Sequence, residues 1–183
     1  LIKLQQLIGL PIVDLHTGKQ SGKVKDAWFD EHWMMQGIVV ESARWLPPKE
    51  RLLPWNKVAS CGEDAILIDG GDAVVPKDNR WTGRSFQSGQ LKLKDLPVIT
   101  VQGTQLGRVS DVYFEPISGT QIVGYELTDG FISDLLEGRK WLRTPEESDT
   151  VLLGEDAIIV PACCEAQLLP VASSDSDIGR NGR

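Results

Sequence analysis

Gly22-Lys-Val-Lys-Asp-Ala-Trp-Phe-Asp30 returns 85 residues later as Gly107-Arg-Val-Ser-Asp-Val-Tyr-Phe-Glu115. Gly, Val, Asp and Phe are kept, while Lys/Arg, Trp/Tyr and Asp/Glu exchange like for like. Leu10-Pro11 precedes the first copy and Leu96-Pro97 the second. Gly62-Glu-Asp-Ala-Ile66 follows the first copy and recurs unchanged as Gly154-Glu-Asp-Ala-Ile158. The same blocks in the same order are the signature of a repeat architecture. Each copy has roughly 60–75 residues, enough for a small domain. The boundaries this implies are 1–70 and 91–170, with a linker at 71–90 and a polar tail at 171–183.

Within each copy the pattern is of short strands between turn formers. Pro11–His16 and Pro97–Gln102 are apolar-rich and run into Gly18 and Gly103, hairpin signals because Gly supplies positive φ. Alternation then puts Val24, Asp26 and Trp28 on one side of a strand, with Ala27 and Phe29 on the other. Val109, Asp111 and Tyr113 stand likewise against Val112 and Phe114. Further strands are expected at 37–41 and 124–127, and at 65–68 and 157–160. Pro54–Val58 and Ile132–Glu137 suit single helical turns. The fold class is all-β: two tandem small β-barrels, each burying its own apolar face. Trp81 and Phe86 predict that the linker packs partly against a domain.

Taken together these blocks resemble the PRC-barrel family: Leu-Pro-Ile-Val before a Gly turn, the Gly22–Asp30 block, a Gly-Ile-Val-Val strand, Leu-Leu-Pro-Trp and Gly-Glu-Asp-Ala-Ile, with their second-copy counterparts. The arrangement is similar to bacterial proteins that carry two such domains in tandem. The resemblance implies a small barrel of the kind found in the photosynthetic reaction-centre H subunit and in a ribosome maturation factor, where it is not a catalyst. It makes Gly22, Asp26, Phe29, Gly62 and Asp64, with Gly107, Asp111, Phe114, Gly154 and Asp156, a structural signature.

Composition narrows the function. The 183 residues are 41% apolar, with a net charge of −7. Residues 1–92 hold 12 Lys/Arg against 11 Asp/Glu, and residues 93–183 hold 7 against 15. An acidic second half repels phosphate, which disfavours direct nucleic-acid binding. Arg44, Lys49 and Arg51 are a local basic cluster, read as a solvated loop. Cys61, Cys163 and Cys164 make neither a disulfide framework nor a zinc motif, and a reducing compartment suits them. No apolar run is long enough to cross a bilayer, and Leu1–Gln6 lacks the form of a signal peptide. A soluble cytoplasmic protein without cofactor or metal is expected.

The chemical motifs are sparse. Asp26 and Asp111 are read as carboxylates that accept backbone N–H groups and pin a strand. Glu63-Asp64 and Glu155-Asp156 are read as shaping the turn before the last strand. Asp14 and His16 share a strand face, a thin basis for chemistry. Cys163 and Cys164, on a strand, would face opposite ways and not ligate jointly. No phosphate loop or dinucleotide fingerprint occurs. His32-Trp-Met-Met35 loads a hairpin end with apolar side chains where the second copy has Pro116-Ile-Ser-Gly119. Trp33 and Met34 are either an exposed partner-binding knob or part of the core, and Trp45 in Trp45–Pro48 is a second candidate contact. The leading expectation is a non-catalytic adaptor or scaffold for an unknown protein partner. The alternative is a ribosome- or RNA-associated maturation factor. Open sheet edges would let the copies pair with each other or with a second chain.

Overall fold

The structure is a computed structural model. It describes residues 1–41, 50–77, 83–117, 119–130, 138–145 and 151–171. Trp45, Arg44, Lys49, Trp81, the expected helical turn at 132–137 and most of the tail lie outside the described residues.

The chain opens with β1 (Ile2–Lys3) and one helical turn, α1 (Leu4–Leu7). The first repeat follows: β2 (Pro11–Asp14), β3 (Gln20–Phe29), β4 (Met35–Glu41), β5 (Arg51–Pro54), β6 (Val58–Cys61), β7 (Ile66–Ile68) and β8 (Val75–Pro76). After β9 (Arg84–Ser85) the second repeat supplies β10 (Pro97–Thr100), β11 (Gln105–Phe114), β12 (Ile122–Thr128), β13 (Lys140–Arg143), β14 (Leu152–Leu153), β15 (Ile158–Val160) and β16 (Leu169–Pro170). Two sheets of matching order result, β6-β7-β2-β3-β4-β5-β8 and β14-β15-β10-β11-β12-β13-β16, each curled into a half-barrel. The helical turn expected at Pro54–Val58 is a 3-10 turn at Trp55–Lys57.

Bulges cause the curl and correct the simple alternation. Between Val24 and Asp26 the register with β4 slips by one residue, and the same slip falls between Val109 and Asp111. An extra residue shifts the parity of the strand and increases its twist. Val24 therefore joins Ala27 and Phe29 in the core, as Val109 joins Val112 and Phe114. Gly37 and Gly124 mark where neighbouring strands close in. A Cβ on Gly37 would lie 2.4 Å from the Leu53 carbonyl oxygen, and one on Gly124 would lie 3.0 Å from that of Leu142.

The repeats are not laid side by side; they trade their leading segments. β1 pairs with β11 of the second sheet, Lys3 opposite Tyr113. β9, which leads into the second repeat, pairs with β3 of the first sheet, Ser85 opposite Trp28. Tyr113 and Trp28 are corresponding repeat positions, so each half gives the other the segment it receives. At the joint, Met34 bridges Gln121, again corresponding residues, and Met35 N–H donates to the Thr120 carbonyl at 2.8 Å. This is the pattern an approximate two-fold produces. It also corrects the expectation of two separate cores: the buried side chains of both halves form one continuous cluster. Trp55 of the first half meets Phe114 of the second edge-on at 6.0 Å. Phe86 is fully buried, as expected of a linker that packs.

Candidate functional site

The joint between the halves collects most of the residues that the sequence singles out. Asp26, fully buried, accepts hydrogen bonds from the main-chain N–H groups of Ala27 (2.8 Å), Gln87 (3.1 Å) and Ser88 (2.7 Å), and from Ser88 Oγ (2.6 Å). Asp111 accepts from Val112 N–H (2.8 Å) and Gln5 N–H (3.2 Å). The expected pinning role is therefore present, with one addition: the second set of donors comes from the traded segment, not from the carboxylate's own hairpin.

Cross-strand from Asp111 stands Glu126, 1% exposed, where the first repeat has Val39. Lys3 from the traded segment reaches it at 2.6 Å, Arg139 at 2.7 Å, and Tyr113 Oη donates to it at 3.1 Å. Burial alone would raise the Glu126 carboxyl, but Lys3 and Arg139 hold it below its ordinary value. Burial pushes the Asp111 carboxyl up to about 6, against the pull of its two N–H donors, with Glu126 adding to the rise. Sequence reasoning missed Glu126. Its signal was a carboxylate inside the apolar strand segment Gly124–Leu127, at a repeat position held by Val in the other copy.

Trp33 is not an exposed knob. It is 2% exposed, packs on Phe29 with ring centroids 5.9 Å apart, and has the Arg84 guanidinium 5.1 Å over its ring. Met34, half-buried, is engaged in the bridge to Gln121. The reason is tertiary: this hairpin end abuts the second half, so the apolar surface is covered by the chain itself. Asp30 shapes the turn by accepting the N–H groups of His32 and Met34, both at 2.9 Å, which holds Trp33 at φ 59°. Beside it lies a cavity of about 320 Å³ between the halves, reaching Tyr125, Thr144 and Leu153.

The remaining candidates stay apart. Asp14 takes the N–H groups of His16 (2.8 Å) and Thr17 (3.3 Å), which lowers its pKa, whereas the exposed His16 ring pairs with Asp69 and is raised by it. The Asp14 and His16 side chains thus make no shared site. Gly62 and Gly154 close their turns through N–H bonds of 3.0 Å to the Ala65 and Ala157 carbonyls, so main chain closes what was assigned to Glu63-Asp64 and Glu155-Asp156. Asp64 and Asp156 are exposed. Cys163 and Cys164 sit on a 3-10 turn (Ala162–Gln167) rather than a strand, the first exposed and the second buried. Arg51 lies in β5 and donates to the Val74 carbonyl at 2.6 Å. Among the described residues no three His, Cys, Asp or Glu side chains come together as a metal site, and no helix is long and apolar enough to cross a membrane.

One exposed feature recurs in both halves. Leu15 (51% exposed) and Val101 (67% exposed) occupy the same repeat position, just after β2 and β10. Their N–H groups bond the Ile68 and Val160 carbonyls at 3.0 and 2.9 Å, and Asp14 or Thr100 ties down the turn that follows. The signal for them in the sequence is an apolar residue shortly before a Gly turn in both copies.

Two traded half-barrels, each pinned by a buried Asp at its bulged strand, define a tandem barrel protein. The PRC-barrel domain model matches twice, over residues 1–75 and 91–163, and the chain belongs to that family. It is similar to the uncharacterized protein YrrD of Bacillus subtilis (strain 168), with 29% identity over 136 residues, 74% of each chain.

Proposed function

We propose that this chain is a non-catalytic protein-binding scaffold, a rigid two-lobed body that presents the Leu15 and Val101 tips to a protein partner. The observation that carries the reading is that pair: large apolar side chains, exposed, at matching positions on two turns that hydrogen bonds hold in place. Single exposed apolar residues are ordinary. A repeated one on an ordered loop is a better anchor, because little conformational freedom is lost on binding. The buried carboxylates Asp26, Asp111 and Glu126 each bond the segment supplied by the other half, which supports a structural part for them. Free thiols at Cys61, Cys163 and Cys164 suit a reducing cytoplasm.

The test is a cross-linked pull-down with the wild type and a Leu15→Lys/Val101→Lys double variant as baits. A defined set of proteins recovered by the wild type and lost by an equally stable variant supports the scaffold. Equal recovery by both baits, or no specific recovery by either, rejects it.

A further inference from the structure

The two sheets end differently at corresponding edges. β6 and β14 stand last in their sheets, each paired with one neighbour, β7 or β15. β6 is guarded. A register shift between Val58 and Ser60 makes Ala59 a bulge, and the exposed Lys57 precedes the strand. Bulges and lysines are ordinary means of closing an edge to further pairing. Among the described residues β14 has neither: it pairs with β15 without a register shift, and Leu152 stands 65% exposed on it.

The main chain of β14 is open at two residues. Gly154 N–H bonds the Ala157 carbonyl, so Gly154 faces β15. Antiparallel alternation then turns Leu152 inward, opposite Ile159. It turns the N–H and C=O groups of Val151 and Leu153 to the free side. The same alternation in β6 offers only Cys61 before the bulge interrupts it. The Val151 and Leu153 side chains rest against the core and line the cavity between the halves, which Glu31, 84% exposed, also lines. Arg84 closes the far end of the edge by donating to the Gly154 carbonyl at 3.3 Å.

The sequence flanking this edge is of one charge sign. From Pro145 to Asp156 it holds Glu146, Glu147, Asp149, Glu155 and Asp156, with no Lys or Arg. Glu155 and Asp156 are exposed in the turn that follows β14. Such a field sets two copies of this chain against each other edge to edge and repels nucleic acid, but it attracts a cationic segment.

We propose that β14 is a docking edge for an extended basic segment of a partner protein. The segment adds as a strand beside Val151–Leu153 and sets Lys or Arg side chains against the flanking carboxylates. Main-chain hydrogen bonds supply the attachment and the alternating side chains the selectivity. The inference is independent of the Leu15 and Val101 tips, which take no part in it.

The experiment follows the backbone amides of the ¹⁵N-labelled full chain in about 0.15 M salt, where long-range charge attraction is screened. The probe is the capped peptide KVKVKVK. Its comparisons are KPKPKPK, of equal charge but unable to pair as a strand, and EVEVEVE. Expected are saturable shifts at residues 151–154 with half-saturation at about 1 mM or below, and binding at least ~tenfold weaker for both comparisons. Leu153→Pro, which removes an outward N–H, should abolish the shifts. Glu155→Lys/Asp156→Lys, at exposed positions, should weaken binding at least ~threefold whether or not Leu153→Pro folds. Leu15→Lys/Val101→Lys should bind the peptide as the wild type does, which separates this edge from the tips. No shift with KVKVKVK, equal binding of KPKPKPK, or shifts centred on β6 would each overturn the proposal. So would shifts at residues 151–154 on diluting the chain alone, the mark of two copies pairing there.

Discussion

Gln5 donates its main-chain N–H to the Asp111 carboxylate at 3.2 Å, across 106 residues of sequence. Its counterpart Gln87 donates to Asp26 at 3.1 Å in the opposite sense. The two bonds make each repeat's bulged strand the seat of the other repeat's leading segment. Folding of either half is thereby tied to the presence of the other.

The first prediction concerns Asp26. Replacing it with alanine leaves the partly buried N–H groups of Gln87 and Ser88 without their acceptor, so Asp26→Ala is expected to cost about 3 kcal/mol. Asp111, with fewer donors and a costlier ionised form, should lose less, about 1–2 kcal/mol in Asp111→Ala. Urea denaturation gives the ranking. Amide exchange should show residues 84–88 opening first in Asp26→Ala, and an equal or reversed ranking would contradict the scheme.

Asp111 also sets a pH dependence. Its folded pKa of about 6 lies above the ordinary value of 3.8. Between those values the native state holds a proton that the unfolded chain has released. This group's contribution to stability is therefore full below pH 3.8 and is lost as pH rises to about 6, on the order of 3 kcal/mol in total. Glu126, depressed by Lys3 and Arg139, acts in the opposite sense, but only as pH falls below its ordinary 4.5. Unfolding free energies measured from pH 4.5 to 6.5 should decline with pH in the wild type. The decline should be flattened in Asp111→Asn; an unchanged slope there would refute the assignment.

Trp33 provides a third. As a buried ring packed on Phe29 it should behave as core, with Trp33→Ala destabilising by roughly 3–5 kcal/mol. A thermal or chemical melt indistinguishable from the wild type would restore the exposed-knob reading.

The paired glycines offer a fourth. Gly37→Ala drives a methyl to 2.4 Å from main chain, whereas the closest main-chain atom to Gly124→Ala is at 3.0 Å, its nearer neighbour at 2.8 Å being the Trp141 side chain. Overpacking costs typically about 1–3 kcal/mol, and Gly37→Ala should fall at the upper end with Gly124→Ala below it. Melting temperatures of the two variants decide the order.

Much of the fold was legible because the chain states it twice. The Gly22–Asp30 block and its return marked both strands, and the side shared by Ala27 and Phe29, and by Val112 and Phe114, is the one that the structure buries. The parity of Val24 was not legible, since a bulge leaves no residue signature in the alternation. Trp33 could be read as surface or interior because its covering surface lies some 90 residues away in sequence. Glu126 was hidden for the same reason: its partner Lys3 belongs to the other end of the chain.

By itself the sequence determined the repeat, the all-β class and the strand-pinning part of Asp26 and Asp111, all of which depend on local period, turn chemistry and self-similarity. Tertiary structure alone decided that the halves trade segments, that their cores merge, and that Trp33 packs on Phe29 inside the molecule. Those outcomes rest on contacts between residues far apart in the chain, and no local pattern carries the geometry that brings them together.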